Sequence, residues 1–428
     1  MKSNPERIQI AKDIYLNIIN EGKFKSNLLS YYFIRPLDRR EVTKNTLLSL
    51  VLRRASKNYP RTIDLERKLE ELYGTNLSLG INKRGERQVI RYTMEWPKNK
   101  YLDEDYDGEI IQILKEIIFN PLVEGRGFSK SYVDQEKENL RRKIENKIND
   151  KGAYARERCF EIMCKNERFG LFPLGYVEDL EDIDEVNLYQ HYQEFIRTSP
   201  IEIFYVGQVD DNIISALKSH LEIRRDETIS IPEDVLVGAG QTRNIVIDEL
   251  DVNQGKLVMG YRAAIHHNDK LYNPLLLASD ILGGGPNSKL FINVREKESL
   301  AYYIGSSTYK YKSLMLVESG IEFDDFDRTV EIINQQLEEL KAGKFTDEDV
   351  AKSKKSLVTN TESIRDSLFL MSEFFFSQLI SGDKRSLEEV LDDFQKVERE
   401  EIIEAAKRIK LDTIYFMRNK KEEVGVEK

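Results

Sequence analysis

The chain has 428 residues, 65 Lys plus Arg against 75 Asp plus Glu, a net charge of −10, and 40% hydrophobic residues. That is material for about two or three packed domains and excludes a disordered chain. The acidic balance argues against electrostatic capture of nucleic acid, and no uncharged apolar run is long enough for a membrane-spanning helix.

The first residues mix charge with short apolar stretches and contain no secretory core. Positions 8–16 suit a strand or a short amphipathic piece, and 28–33 (LLSYYF) reads as a strand. The run NTLLSLVLRRA at 45–55 has leucines at helical spacing, and 62–73 is a second helix closing near Gly74. Strand-like runs at 77–82 and 88–95 flank a charged turn containing Gly85. Helices are expected over 106–119, 133–148 and 186–195, followed by a strand at 201–207. From 223 to 242, Pro232, Gly238 and Gly240 among many charges read as a linker. Two strands around Gly255 then lead to a helix over 271–282, a strand at 314–321 and a helix over 326–342. The end is helical over 347–376 and 397–409, closing on a strand at 413–417 (TIYFM).

The two halves repeat one order. Phe128-Ser129 ahead of a charged helix with Val133 is echoed by Phe345-Thr346 ahead of one with Val350, and each half closes on a helix and a short apolar strand. The period is too long for a solenoid and points to two homologous α+β domains, at 1–222 and 244–428, joined by a linker at 223–243.

Four histidines, His191, His220, His266 and His267, and two cysteines make a small kit for metal or acid–base chemistry. His191 and Glu194 share a helix face without an evident third ligand, and His266-His267-Asn268-Asp269 reads as a turn between a strand and the helix at 271, where the adjacent histidines, like neighbours on an extended chain, would diverge and not chelate. Cys159 and Cys164 read as reduced structural thiols, which places the chain in the cytoplasm.

The most specific stretch is LGGGPNSKLFINVREKESLAYYIGSS, residues 282–307. Its glycines match neither a phosphate-binding loop nor a dinucleotide fingerprint. It resembles the second-domain signature of the M16 (pitrilysin and mitochondrial-processing) peptidase family, approximately LGGGxxSRLFxxxREKxGLAYxxxS. The resemblance implies two homologous domains, each a mainly antiparallel sheet packed with helices. It also makes Arg295 and Tyr302, with Gly283, Gly284 and Gly285, the residues that meet an extended peptide. A guanidinium and a phenol are apt donors to a carbonyl or a developing oxyanion. The bland alternative is an Arg295–Glu298 ion pair with Tyr302 as strand core.

Active members of that family carry HxxEH on a first-domain helix, with a further Glu ligand on a later one. By resemblance these positions fall on Leu48, Val51 and Leu52, and on Lys143. Residues 42–63 contain no His, Asp, Glu or Cys, and an ammonium repels a cation. No catalytic residue, metal or cofactor is therefore expected, and Arg53, Arg54 and Lys143 would form a positive patch in the site's place. Family peptidases need two such two-domain halves around a chamber. The chain looks like the half that lacks the metal, most like the YmfF-like bacterial branch. The resemblance implies pairing with an HxxEH-bearing paralogue, an extended peptide as substrate, and an association with modification of elongation factor P; the alternatives are a peptide-binding or scaffold homodimer with no proteolytic role and, third, an active zinc peptidase with atypical ligands.

Overall fold

A computed structural model describes residues 5–218, 225, 227–240 and 243–420; His220 and part of the linker expected at 223–243 lie outside the described residues. Eleven strands build the two main sheets: β1 (Glu6–Ala11), β2 (Ile14–Asn20), β3 (Ser26–Pro36), β4 (Asn76–Arg84), β5 (Arg87–Pro97), β6 (Ile201–Gly207), β7 (Asn244–Leu250), β8 (Gly255–Arg262), β9 (Ala301–Tyr309), β10 (Leu314–Ile321) and β11 (Lys410–Asn419). The helices used below are α1 (Val42–Arg54), α2 (Thr62–Glu71), α3 (Asp107–Phe119), α4 (Lys130–Glu145), α5 (Lys151–Met163), α6 (Glu185–Thr198), α7 (Asp211–Lys218), α8 (Tyr272–Gly283), α9 (Phe326–Lys341), α10 (Asp347–Glu362), α11 (Leu368–Ser381), α12 (Leu387–Lys396) and α13 (Arg399–Arg408).

The chain forms two compact units. Unit 1 takes Met1–Asn146, Leu171–Glu233 and Ile364–Lys384; unit 2 takes Lys147–Gly170, Asp234–Ser363 and Arg385–Lys428. A single cut at the linker would not produce this division, because each sequence half lends one helix to the other half's sheet.

In unit 1 the strand order is β1-β2-β6-β3-β5-β4, with β2 and β6 parallel and the other neighbours antiparallel. Unit 2 reads β9-β10-β8-β11-β7, with β7 and β11 parallel and the rest antiparallel. Taken from the parallel pair outward the two orders are the same, so the repeat read in the sequence is a repeat of topology. Unit 1 has one strand more, β1, laid against β2. The expected single element at 8–16 is this β1–β2 hairpin, turned at Asp13 with φ 52. Asp tolerates the left-handed region, so the turn needs no glycine.

Each sheet is covered on one face by its own half's helices and on the other by the borrowed helix. On the underside of unit 2, α5 seats Ala155, Cys159, Phe160 and Met163 against Val258, Leu316, Tyr415 and Met417. Gly260 makes this possible, since a Cβ there would lie 2.8 Å from the Met163 sulfur and 3.1 Å from the Cys159 sulfur. Just beyond α5, buried Glu167 takes Arg262 and Lys312, each at 2.7 Å. Those two cations hold the Glu167 carboxyl below its ordinary value despite the cost of burial.

The helix expected over 347–376 is two helices. It breaks after Glu362, and Ser367 restarts it as an N-cap, its hydroxyl accepting from the Leu370 amide. The second piece, α11, belongs to unit 1. There Leu368, Met371, Phe375 and Phe376 pack on Leu28, Tyr32, Val89 and Phe204, with Tyr32 stacked on Phe376 at 4.1 Å. Glu373 fixes it by accepting from Arg84 and Arg91, each at 2.5 Å, and from the Tyr32 hydroxyl at 3.0 Å.

Candidate functional site

The helix onto which the resemblance places the metal motif is α1, and its sequence makes it a core helix. Nine of its residues are buried, on more than one face, as the near-continuous apolar run 47–52 dictates. Leu48 and Leu52 are fully buried and Val51 nearly so, within the same unit 1 core as Leu140 of α4, the helix packed on α1. Aliphatic groups at all three positions offer no lone pair, so the residues do not fit zinc.

On α4 the inward face is Val133, Glu136, Leu140 and Ile144; Lys143 points to solvent. Glu136 is the buried acid here, and it is held by Arg54 at 3.2 Å. The Arg54 guanidinium also bonds Gln135 and lies 5.3 Å from the Tyr132 ring centre, while Arg53 pairs with Glu66 at 2.8 Å. The positive patch expected from Arg53, Arg54 and Lys143 is thus corrected: two of its three charges are matched within the unit. Among the described residues, no group of three or more His, Cys, Asp or Glu could hold a metal.

His191 is a core histidine. Its Nε2 lies 2.7 Å from Asn45 Oδ1, the Asn45 amide donates to Gln88 Oε1 at 2.9 Å, and Gln88 donates on to the Pro173 carbonyl at 2.8 Å. Burial, then the nearby Arg35 charge, push its pKa down to about 4, so the ring is neutral. Glu194 pairs instead with Arg35 at 3.7 Å. The rings of His266 and His267 do not diverge as expected but lie with centroids 3.9 Å apart. The chain there is the expected turn, entered at Ala264 with φ 51, and the turn brings the two neighbouring rings together.

In unit 2 the expected peptide-contact residues are presented outward. Arg295 sits on the π-helical turn Phe291–Lys297, exposed, with its guanidinium 4.7 Å from the Phe291 ring centre. The alternative ion pair is not made: Glu298 takes Arg328 at 3.6 Å. Tyr302 is 60% exposed at a bulge in β9 and is not strand core. Its hydroxyl donates to Glu322 Oε1 at 2.5 Å, which raises the phenol's pKa. Among the described residues no hydrogen bond joins Arg295 to Tyr302.

The three glycines separate in role. A Cβ on Gly283 would fall 2.6 Å from the Ser306 nitrogen, so this glycine lets α8 pack against β9. One on Gly284 would collide with Asp280, whereas Gly285 faces open space. Gly284 and Gly285 line a cleft of about 520 Å³ with Asp280, Lys289, Lys352 and Ser356. Burial raises the Asp280 pKa, and Ser356 donates to its carboxyl at 3.1 Å. An open hollow also runs along β9 from Tyr303 to Ser307, lined by Asp150, Arg156 and Glu318. The sequence reading missed this hollow, because α5, which supplies one wall, comes from the other half of the chain.

Comparison with known proteins agrees with this geometry. The family profile described as "Peptidase M16 inactive domain" matches residues 182–357. The chain is 37% identical over 404 residues to "Probable inactive metalloprotease YmfF" of Bacillus subtilis (strain 168), covering 94% of this chain and 95% of that protein. It is 22% identical to "Uncharacterized zinc protease YmxG" of the same organism over 57% of this chain and 59% of that one. Among solved structures, a conserved protein from Enterococcus faecalis V583 superposes with a TM-score of 0.89 at 29% identity, covering 98% and 100% of the two chains. A protease from Helicobacter pylori shares the fold, with a TM-score of 0.79 at 16% identity over 97% and 100%.

Proposed function

Because the chain belongs to the M16 peptidase family, among its inactive, YmfF-like homologues, we propose that it is the peptide-binding half of a heterodimeric processing peptidase whose other half carries HxxEH. One observation carries the reading. The helix that would hold zinc has been rebuilt as aliphatic core through Leu48, Val51 and Leu52, while the second-domain signature still presents Arg295 and Tyr302 to solvent.

An extended peptide laid along β9 would gain main-chain hydrogen bonds from an edge strand, which tolerates varied side chains. Arg295, whose charge meets no carboxylate among the described residues, offers forked donors to a peptide carbonyl or C-terminal carboxylate. The Tyr302 phenol, already polarised by Glu322, would turn from that carboxylate to the peptide. In this scheme the chain supplies binding and orientation, and the partner supplies metal and base. The association with modification of elongation factor P follows from the family resemblance, and deletion of the gene should then change the mass of that factor.

Mixing the chain with an HxxEH-bearing M16 subunit from the same genome tests the proposal. A stable one-to-one complex that cleaves unstructured peptides, with turnover lowered at least tenfold by Arg295→Ala and by Tyr302→Phe, is the expected result. Cleavage unchanged by both substitutions would reject the assigned contacts, and no complex would reject the partnership.

A further inference from the structure

The main sheets of the two units differ by one strand, and that difference leaves a strand edge open. In unit 1, β2 has β1 on its outer side and is buried at five of seven positions. Its counterpart in unit 2 is β7, the strand parallel to the closing strand, and it is the last strand of its sheet. No residue of β7 is buried; Ile245 is 60% exposed and Ile247 46%. Among the described residues, main-chain pairing of β7 runs to β11 alone.

Proteins usually blunt such edges with bulges, prolines or lysines. The two edges of the unit 1 sheet are blunted, β1 by a bulge between Gln9 and Ala11 and β4 by Lys83 and Arg84 at its end, while the bulge in β9 is confined to Ala301–Tyr303 and leaves the rest of that edge regular. The segment NIVIDEL of β7 pairs with β11 without a register shift and contains neither Pro nor Lys. Its exposed isoleucines continue the face on which Ile414 and Phe416 are buried, their direct neighbours across β11.

The geometry points to a second copy of this chain as the occupant, paired β7 to β7 in antiparallel fashion about a two-fold axis through Val246. The local sequence is self-complementary in that register. Ile245 meets the second copy's Ile247 and the converse, and exposed Arg243 meets Glu249, each pair occurring twice; Asn244 falls opposite Asp248, whose carboxylate stays with Arg158 at 3.4 Å and the Tyr415 hydroxyl at 2.9 Å. Alternation keeps Arg243, Ile245, Ile247 and Glu249 on one face, so the two isoleucine pairs lie between two ion pairs. Moving the axis to Ile247 would set Ile245 against Glu249 and Val246 against Asp248, losing both matches. Two five-stranded sheets would thereby join into one, and the missing counterpart of β1 would be supplied from outside the chain. The inference is independent of the peptide-binding reading, since Arg295 and Tyr302 sit on other elements of unit 2.

Sedimentation of the full chain from low to hundred-micromolar concentration tests this. The expected result is a reversible species of twice the 50.0 kDa chain mass, lost in Ile245→Lys/Ile247→Lys, which places like charges opposite each other on an already exposed face. Unchanged circular dichroism of that variant would show that its fold is intact. A wild-type chain that stays monomeric throughout, or a dimer indifferent to the double substitution, would overturn the inference. The register has its own readout. Under an oxidant, Ile245→Cys/Ile247→Cys should form a covalent dimer, while Ile247→Cys alone should not, because its own copies lie diagonally at about 7–8 Å, beyond disulfide reach. Efficient cross-linking of the single variant would overturn the Val246-centred pairing.

Discussion

The neutral core histidine makes a sharp prediction about acid. His191 has its pKa lowered to about 4 by burial and by Arg35, whereas an unfolded chain binds the proton near 6.5. The folded-state value is the depressed one, so the unfolded state takes up more protons as pH falls through 6.5. Stability is therefore lost on the way down and is unaffected above about 7.5. With about 1.36 kcal/mol per pKa unit, the loss at pH 5 is about 2 kcal/mol and reaches about 3.4 kcal/mol below pH 4. Other groups titrate in the same range, so the measurement is a difference. Urea unfolding of the wild type is compared with His191→Gln, which keeps a donor for Asn45, at pH 7.5 and pH 5.0. Trp96, the single tryptophan and fully buried in unit 1, reports the unit that contains His191. The wild type should lose about 2 kcal/mol more than the variant between the two pH values. Equal losses would refute the account of a buried, neutral His191.

Three further perturbations probe the packing. Leu48→Ala should cost unit 1 about 2–5 kcal/mol in the same fluorescence assay, as a fully buried leucine does; a cost below about 1 kcal/mol would mean that this face of α1 is not core. Glu373→Ala strips the carboxylate from Arg84 and Arg91 and should cost about 3 kcal/mol, read as faster hydrogen exchange in α11 than in α13. Gly283→Ala, ordinarily stabilising in a helix, should here lower the melting temperature, because the new methyl meets Ser306 at 2.6 Å and overpacking costs about 1–3 kcal/mol. A raised melting temperature would contradict the close α8–β9 packing.

Much of this was legible in the sequence for physical reasons. The alternation and helical spacing of apolar residues fixed most strands and helices, and the order of elements disclosed two related α+β domains. The run at 45–55 read as a helix with no ligand on it, and the signature at 282–307 singled out Arg295 and Tyr302, both of which the fold exposes. What escaped was set by distant parts of the chain. Nothing local says that α5 lies under β8 or that α11 lies under β3 and β6, since an amphipathic helix states only that it needs an apolar sheet. Ser367 ahead of an apolar run was a readable N-cap that would have split the helix expected over 347–376. Asn45 and Gln88, which complete the His191 network, are unremarkable polar residues until the fold brings them together. The three glycines read as one loop because only coordinates distinguish the close approach at Gly283 from the open space at Gly285.

The central claim is that the metal-binding half of this fold's chemistry has been replaced by aliphatic core. Zinc analysis of the full chain, purified and then incubated with excess zinc and desalted, tests it most directly. The account predicts a stoichiometry far below one zinc per chain and no peptide cleavage by the isolated protein. One tightly held zinc per chain, with cleavage abolished by a chelator, would contradict it.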